Sequence, residues 1–316
     1  MSKVQAKQPV IAPNKKKFFD RKTRSLTFLA LPALLLVFIF NYLPMGGLIL
    51  AFKDFRYDKG LWGSDWVGWD NFKFFFTSQD AWRVTRNTLG YNLVFIISVI
   101  VCSILVAILL NEVRKRILVK CYQTVLFMPY FMSWTVVAFM VFGFLNVDLG
   151  LINRIIVGFG GQEISWYADP KQWTWIMPVV YLWKSLGYNV IVFYAALMSI
   201  DPTYYEAASI DGASRIQMVF KITIPMLKPV IVVLAITMLG KVFYSDFGQF
   251  YMVPQNSGAV YSTTDVIDTY IFRALRVSGD VGMASAVGFF QSFVGLITVL
   301  LSNYIIRRTD RENAMF

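Results

Sequence analysis

The sequence predicts an all-α integral membrane protein with six transmembrane helices, and three observations carry that prediction. Hydrophobic residues make up 57% of the 316-residue chain and charged residues only 16%, against about a quarter charged in soluble domains. The apolar residues gather into six runs at about 26–50, 87–110, 119–145, 173–200, 229–252 and 283–306, each near the ~20 residues that cross hydrocarbon as a helix. Lys and Arg are unevenly shared between the connections. With the N-terminus inside, 18 of the 30 fall on the cytoplasmic side and 10 outside, which predicts that both termini are cytoplasmic.

Residues 1–25 form a basic segment that includes Lys15 to Lys17, Arg21, Lys22 and Arg24. A basic stretch ahead of an apolar run also begins secretory leaders, but this run is too long for a leader core and has no clear small-residue cleavage site. It reads as an uncleaved first span. Residues 26–306 then make one six-helix membrane domain, with a polar cytoplasmic connection at 201–228, and 307–316 form a basic tail. The first external connection is crowded with Trp62, Trp66, Trp69, Phe72 and Phe74 to Phe76, and the second with Trp166, Tyr167 and Trp173; most of these are expected to form interfacial aromatic belts. In the sixth run Ser285, Gly288, Ser292 and Gly295 share one seam, the pattern of close helix packing.

The net charge of +11 fits anchoring and orientation on anionic lipid, and nucleic acid is not expected as a partner. Histidine is absent, and Cys102 and Cys121 are the only cysteines. No metal site, disulfide framework or nucleophile–base pair is expected. Gly240-Lys241 lacks the upstream Gly and the following Ser or Thr of a phosphate-cradling loop. If ATP drives this protein, another chain binds it.

The connection at 201–228 is the most distinctive stretch. Asp201-Pro202 starts a turn, Glu206 to Ile210 can form a short helix, Gly212 interrupts it, and Ala207, Ala208 and Ala213 are small enough to let another surface approach. Ile216, Val219, Phe220, Ile222 and Ile224 supply apolar surface behind, and Pro225 and Pro229 open the next membrane helix. Glu206, Ala207, Ala208, Gly212, Ile222 and Pro225 fit the Glu-Ala-Ala, three residues, Gly, nine residues, Ile-x-Leu-Pro pattern, with Ile224 in place of Leu. This stretch resembles the coupling loop of binding-protein-dependent ABC importers. Asp265 to Arg273, Gly279, the Ala286 to Ser292 run and Asn303 are similar to the oligosaccharide and polysaccharide branch, common in Gram-positive bacteria.

The resemblance implies a permease fold and a role. Such a subunit pairs with a second, similar permease, and its loop helix docks on one of two ATPase subunits that hold ATP and Mg. An extracellular solute-binding lipoprotein delivers the sugar. By this resemblance the ATPase-coupling residues are Glu206, Ala207, Ala208, Asp211, Gly212, Ala213, Phe220, Ile222 and Pro225, and the protein is expected in a bacterial cell membrane. Closure of the ATPase pair then moves the helices joined by the loop, and the pore alternates its access.

Sugars are recognised by aromatic faces and hydrogen-bonding side chains. Tyr181, Lys184, Ser185 and Tyr188 share one face of the fourth span, with Asn189 beside them. On the fifth span Lys241, Tyr244, Ser245, Gly248 and Gln249 make a second stripe, with Asp246 turned away toward the flank of Gln249. Gln291 lies beside the seam of the sixth. A charge in a span costs about 2.5–3.5 kcal/mol on insertion scales, so Lys184, Lys241 and Asp246 should face a pore, a partner or each other. The rival reading is an ion-gradient carrier, which calls for inverted internal repeats and intramembrane ion ligands; no convincing repeat is present.

Overall fold

The structure, a computed structural model, describes residues 21–309. Most of the basic segment 1–25 and of the tail 307–316 lies outside the described residues. Residues up to Ile49 form one compact unit and those from Leu50 another.

The chain opens with α1 (Arg21–Val37), which runs on through a π turn at Phe38–Tyr42 and a 3-10 stretch at Leu43–Phe52. Pro32 and Pro44 each remove one backbone donor from this run. From Arg24 to Phe52 it is 29 residues long and apolar enough to cross a membrane.

Near its start the second unit has a short hairpin, β1 (Lys53–Asp54) antiparallel to β2 (Asp65–Trp66), in which Lys53 opposes Trp66. Then come α2 (Asp70–Thr77), α3 (Gln79–Asn111), α4 (Arg116–Phe127), α5 (Trp134–Leu145) and α6 (Pro170–Met198). After these follow α7 (Thr203–Ile210), α8 (Ile224–Leu239), α9 (Phe247–Met252), α10 (Ile267–Arg276) and α11 (Val281–Thr309). Five helical runs among the described residues are long and apolar enough to span, and a sixth span is available if α4 and α5, bent by 100° at residues 132–133, count as one.

Helices α3 and α6 pack together more extensively than any other pair. Around them Tyr91, Phe95, Trp173, Met177 and Phe250 form one buried cluster, and Ala107, Leu110, Val190 and Phe193 another. Gly187 permits the crossing of α6 over α4, since a Cβ there would lie 2.1 Å from the Leu126 carbonyl oxygen. Trp166 and Trp173 are buried in this core. The belt expected for them is corrected: the Trp173 indole N–H donates to the Trp166 carbonyl at 2.8 Å, so its one polar group is satisfied inside. Trp62 and Trp69 remain exposed.

Asp265, its side chain fully buried, accepts from Arg83 Nη2 at 2.9 Å, from Arg273 and from Thr269 Oγ1 at 2.8 Å. Asn87 donates to its backbone carbonyl at 2.9 Å. These contacts tie the segment before α10 to the start of α3. The seam of α11 packs as expected of small residues: Ser292 Oγ accepts from the Tyr244 hydroxyl at 3.0 Å, and a Cβ at Gly295 would lie 3.3 Å from that ring.

Candidate functional site

Two of the expected spans are interrupted. Met128–Phe131 tightens into a 3-10 turn, Met132 and Ser133 are extended, and Ser133 caps α5 by accepting the Val136 N–H at 3.3 Å. Within the turn the Pro129 carbonyl accepts the Met132 N–H at 3.1 Å, which closes the 3-10 turn. Lys184, reaching across from α6, donates to the carbonyls of Pro129 at 3.3 Å, Tyr130 at 3.0 Å and Met132. A cation at carbonyls left over where a helix ends is favourable for both.

The second interruption corrects the reading of 229–252 as one helix. Helix α8 ends at Leu239 and α9 starts at Phe247, so Lys241, Tyr244 and Ser245 lie on irregular chain and not on a helical stripe. Asn92 of α3 holds this chain, donating to the carbonyls of Val242 at 2.9 Å and Tyr244 at 3.1 Å. Asp246 does not stand apart. It caps α9 by accepting the Gly248 N–H at 2.9 Å, and its other oxygen accepts the Trp134 indole N–H at 2.6 Å. Gly248 makes room, because a Cβ there would meet the Trp134 ring at 2.6 Å. Non-helical backbone at membrane depth is tolerated only where it is buried in protein or lines a cavity.

Both interruptions border one cavity of about 670 Å³. Of the expected substrate-path residues, Tyr181, Lys184, Lys241, Tyr244, Asp246 and Gln249 line it. Three do not. Tyr188 is stacked on Tyr130 at 5.1 Å, Asn189 donates to the Ser185 carbonyl within its own helix at 3.0 Å, and buried Gln291 donates to the Phe243 carbonyl at 2.7 Å and to Asp268 at 3.1 Å. The sequence reading missed Asn92, Phe95, Tyr130 and Trp134, which also line the cavity. A lone Asn in an apolar run was the one available signal. Tyr181 lies flat on Phe95 with centroids 4.0 Å apart, and the Lys184 ammonium stands 5.2 Å from the Trp134 ring. Aromatic faces and hydrogen-bonding groups thus share one space.

The 201–228 connection folds as a short platform. Asp201 Oδ1 accepts the Thr203 N–H at 3.0 Å, which starts α7 and holds that carboxyl below its ordinary range. Gly212, at φ +77°, ends the turn, a conformation only Gly adopts freely. Ser214 and Gln217 then make a reciprocal cap on the helical turn Arg215–Met218, and a π turn at Val219–Thr223 leads into α8 just ahead of Pro225, which has no N–H to continue an ordinary helix ladder. Glu206, Ala207, Asp211, Gly212, Phe220 and Pro225 are exposed, whereas Ala208, Ala213 and Ile222 are half-buried. The Glu206 carboxylate has no hydrogen-bond partner among the described residues and sits in the first turn of α7, where negative charge is favourable.

Ile210, not singled out from the sequence, is 87% exposed, Ile216 71% and Phe220 67%. Behind this apolar edge, Arg215 is ion-paired to Glu112 just past the end of α3, and the hydroxyls of Tyr205 and Thr223 are hydrogen-bonded at 3.0 Å. A cleft of about 540 Å³ separates the platform from the ends of α3 and α6.

The family described as binding-protein-dependent transport system inner membrane component matches residues 99–311, a stretch that contains the platform and most of the cavity wall. Protein LplB of Bacillus subtilis (strain 168) is 38% identical over 295 residues, covering 92% of this chain and 91% of LplB. The polygalacturonan/rhamnogalacturonan transport system permease protein YteP of the same organism is 36% identical, covering 91% and 89%. Among solved structures, a chain of a bacterial alginate ABC transporter, crystallised with its periplasmic protein bound to an alginate pentasaccharide, superposes with a TM-score of 0.83 at 33% identity. It covers 92% of this chain and 96% of that one.

Proposed function

The chain belongs to the family of binding-protein-dependent transport system inner membrane components, and on that premise we propose how it works as the permease subunit of an ATP-driven oligosaccharide importer. It is a membrane-embedded transporter component and not an enzyme. The observation that carries the substrate class is the similarity, over nine tenths of the chain, to a polygalacturonan/rhamnogalacturonan permease and to a chain of an alginate importer.

In this reading the cavity between the two interrupted spans is one wall of the sugar path, and a second, similar permease supplies the facing wall. Tyr181, Tyr244 and Trp134 offer ring faces to sugar C–H surfaces, and Asn92, Ser185 and Gln249 offer hydrogen bonds. The exposed face of Glu206, Ala207, Asp211 and Gly212 seats on an ATPase subunit, with Ile210, Ile216 and Phe220 filling its groove. Two such ATPases bind ATP and Mg, and a solute-binding protein delivers the sugar from outside. The platform passes ATPase closure to α8 through the continuous run from Arg215, and to α3 through Arg215 and Glu112. Six spans with both termini cytoplasmic put the platform on the ATP side of a bacterial cell membrane.

The test is sugar accumulation by cells carrying the complete system. Uptake should require the partner ATPase gene, and uptake that persists without it and collapses with the ion gradient would replace the importer by a carrier.

A further inference from the structure

The Lys184 ammonium sits at the break between α4 and α5 in the way a bound cation would. Its contacts among the described residues fall within 129–134: the carbonyls of Pro129, Tyr130 and Met132, and the rings of Tyr130 and Trp134, with centroids 5.9 Å and 5.2 Å away. Pro129 also closes the turn, whereas the carbonyls of Tyr130 and Met132 have no other donor among the described residues. Lys184 is only 9% exposed. Ion-driven carriers hold a free cation on the carbonyls of an unwound helix; here a side chain of the same protein supplies it.

The face of α6 around Lys184 is shaped for this stretch. Gly187, three residues on, lets the Leu126 carbonyl approach, and Tyr188, four residues on, stacks on the Tyr130 ring at 5.1 Å. The stretch in turn sets the cavity wall. Tyr130 and Trp134 both line the cavity, and the Trp134 indole N–H reaches the Asp246 carboxylate at 2.6 Å, the group that caps α9 at the second interruption. One charge thus bears on both breaks.

We propose that Lys184 is a positioning residue of transport, a tethered cation whose charge holds the Met132-Ser133 break and sets the Tyr130 and Trp134 rings on the sugar path. The proposal rests on the importer reading only in taking the cavity as that path. An apolar side chain of equal length fills the same space but leaves two carbonyls at membrane depth without a donor. Cutting Lys184 back to Ala removes three carbons and the ammonium, the size of n-propylammonium. Because Lys184 lines the cavity, that ion can reach the vacated place, and 1-propanol is its neutral counterpart.

The experiment uses the complete importer with its binding protein in proteoliposomes. The probe sugar is trigalacturonate, a fragment of the polymer in one relative's name. ATP-driven uptake per assembled complex should fall at least about tenfold in Lys184→Ala and Lys184→Met. Propylammonium should restore Lys184→Ala to within about threefold of wild type, and propanol should not. Lys184→Met, whose side chain still occupies the place, should respond to neither. In detergent, propylammonium should raise the melting temperature of the Lys184→Ala complex by at least about 2 °C over propanol and leave wild type and Lys184→Met unchanged. Wild-type uptake in either assembled variant overturns the proposal, as does a Lys184→Ala complex on which amine and alcohol act alike in both measurements. Should Lys184→Ala not assemble, Lys184→Met, which keeps the stem, carries the uptake test. A wild type that accumulates no trigalacturonate on ATP addition contradicts the importer reading for that sugar, and the melting comparison, which uses none, still decides on Lys184.

Discussion

Asp265 carries the sharpest prediction at the scale of single residues. Its fully buried carboxylate is shared by Arg83 and Arg273, and removing Arg273 leaves Arg83 as its one counterion and strips one oxygen of a charged donor. Arg273→Leu should therefore cost about 1.5–3 kcal/mol, seen as a lower melting temperature of the purified subunit; a melting temperature unchanged within a degree would mean that the Arg273 pair contributes nothing. Asn92→Leu should destabilise by about 1–3 kcal/mol, because the carbonyls of Val242 and Tyr244 lose their donor inside the protein. Such roles were only faintly visible in the sequence. A polar residue in an apolar run announces that it must find a partner, but the partner of Asn92 lies 150 residues away, and no local pattern encodes that.

Elements were legible where their signals are local. Four of the apolar runs (26–50, 87–110, 173–200 and 283–306), the Asp201-Pro202 turn and Gly212 match the structure, because hydrophobicity and backbone freedom act within a few residues. The two interruptions were not legible. Nothing between Gly240 and Asp246 forbids a helix, and the chain leaves it because Asn92 and Asp268 offer its backbone other partners, Asp268 accepting the Ser245 N–H at 2.8 Å. The Met132-Ser133 bend likewise depends on Lys184, 52 residues on in sequence. Close helix crossings give the test at this scale. Gly187→Val would drive its Cβ into the backbone of Leu126 and Phe127, which no side-chain rotation relieves, so the variant should show little folded protein in membranes; wild-type yield would mean that α6 and α4 do not cross so closely. Gly212 differs, since open space surrounds it and only its positive φ resists a side chain. Gly212→Val should insert normally, at a local cost of about 1–2 kcal/mol, yet lose transport by deforming the platform.

For the whole molecule, the arrangement in the membrane is the first expectation to check. In a background free of Cys102 and Cys121, single cysteines at exposed Asp58 and Ala259 should react with an impermeant thiol reagent on intact cells, and one at exposed Ser209 should react only after the membrane is opened. The Lys and Arg bias predicts this sidedness, and labelling of Ser209 from outside would reverse it. The central claim is that an exposed loop of this chain turns ATP hydrolysis elsewhere into sugar movement through it. Ala207→Asp tests that most directly, because it places charge on an exposed, small-residue face that is expected to meet the ATPase and touches nothing in the core. In proteoliposomes containing the complete complex, the account predicts normal membrane insertion with ATP-driven oligosaccharide uptake reduced at least tenfold and ATPase subunits lost on purification. Wild-type uptake and full ATPase copurification in that variant would contradict it.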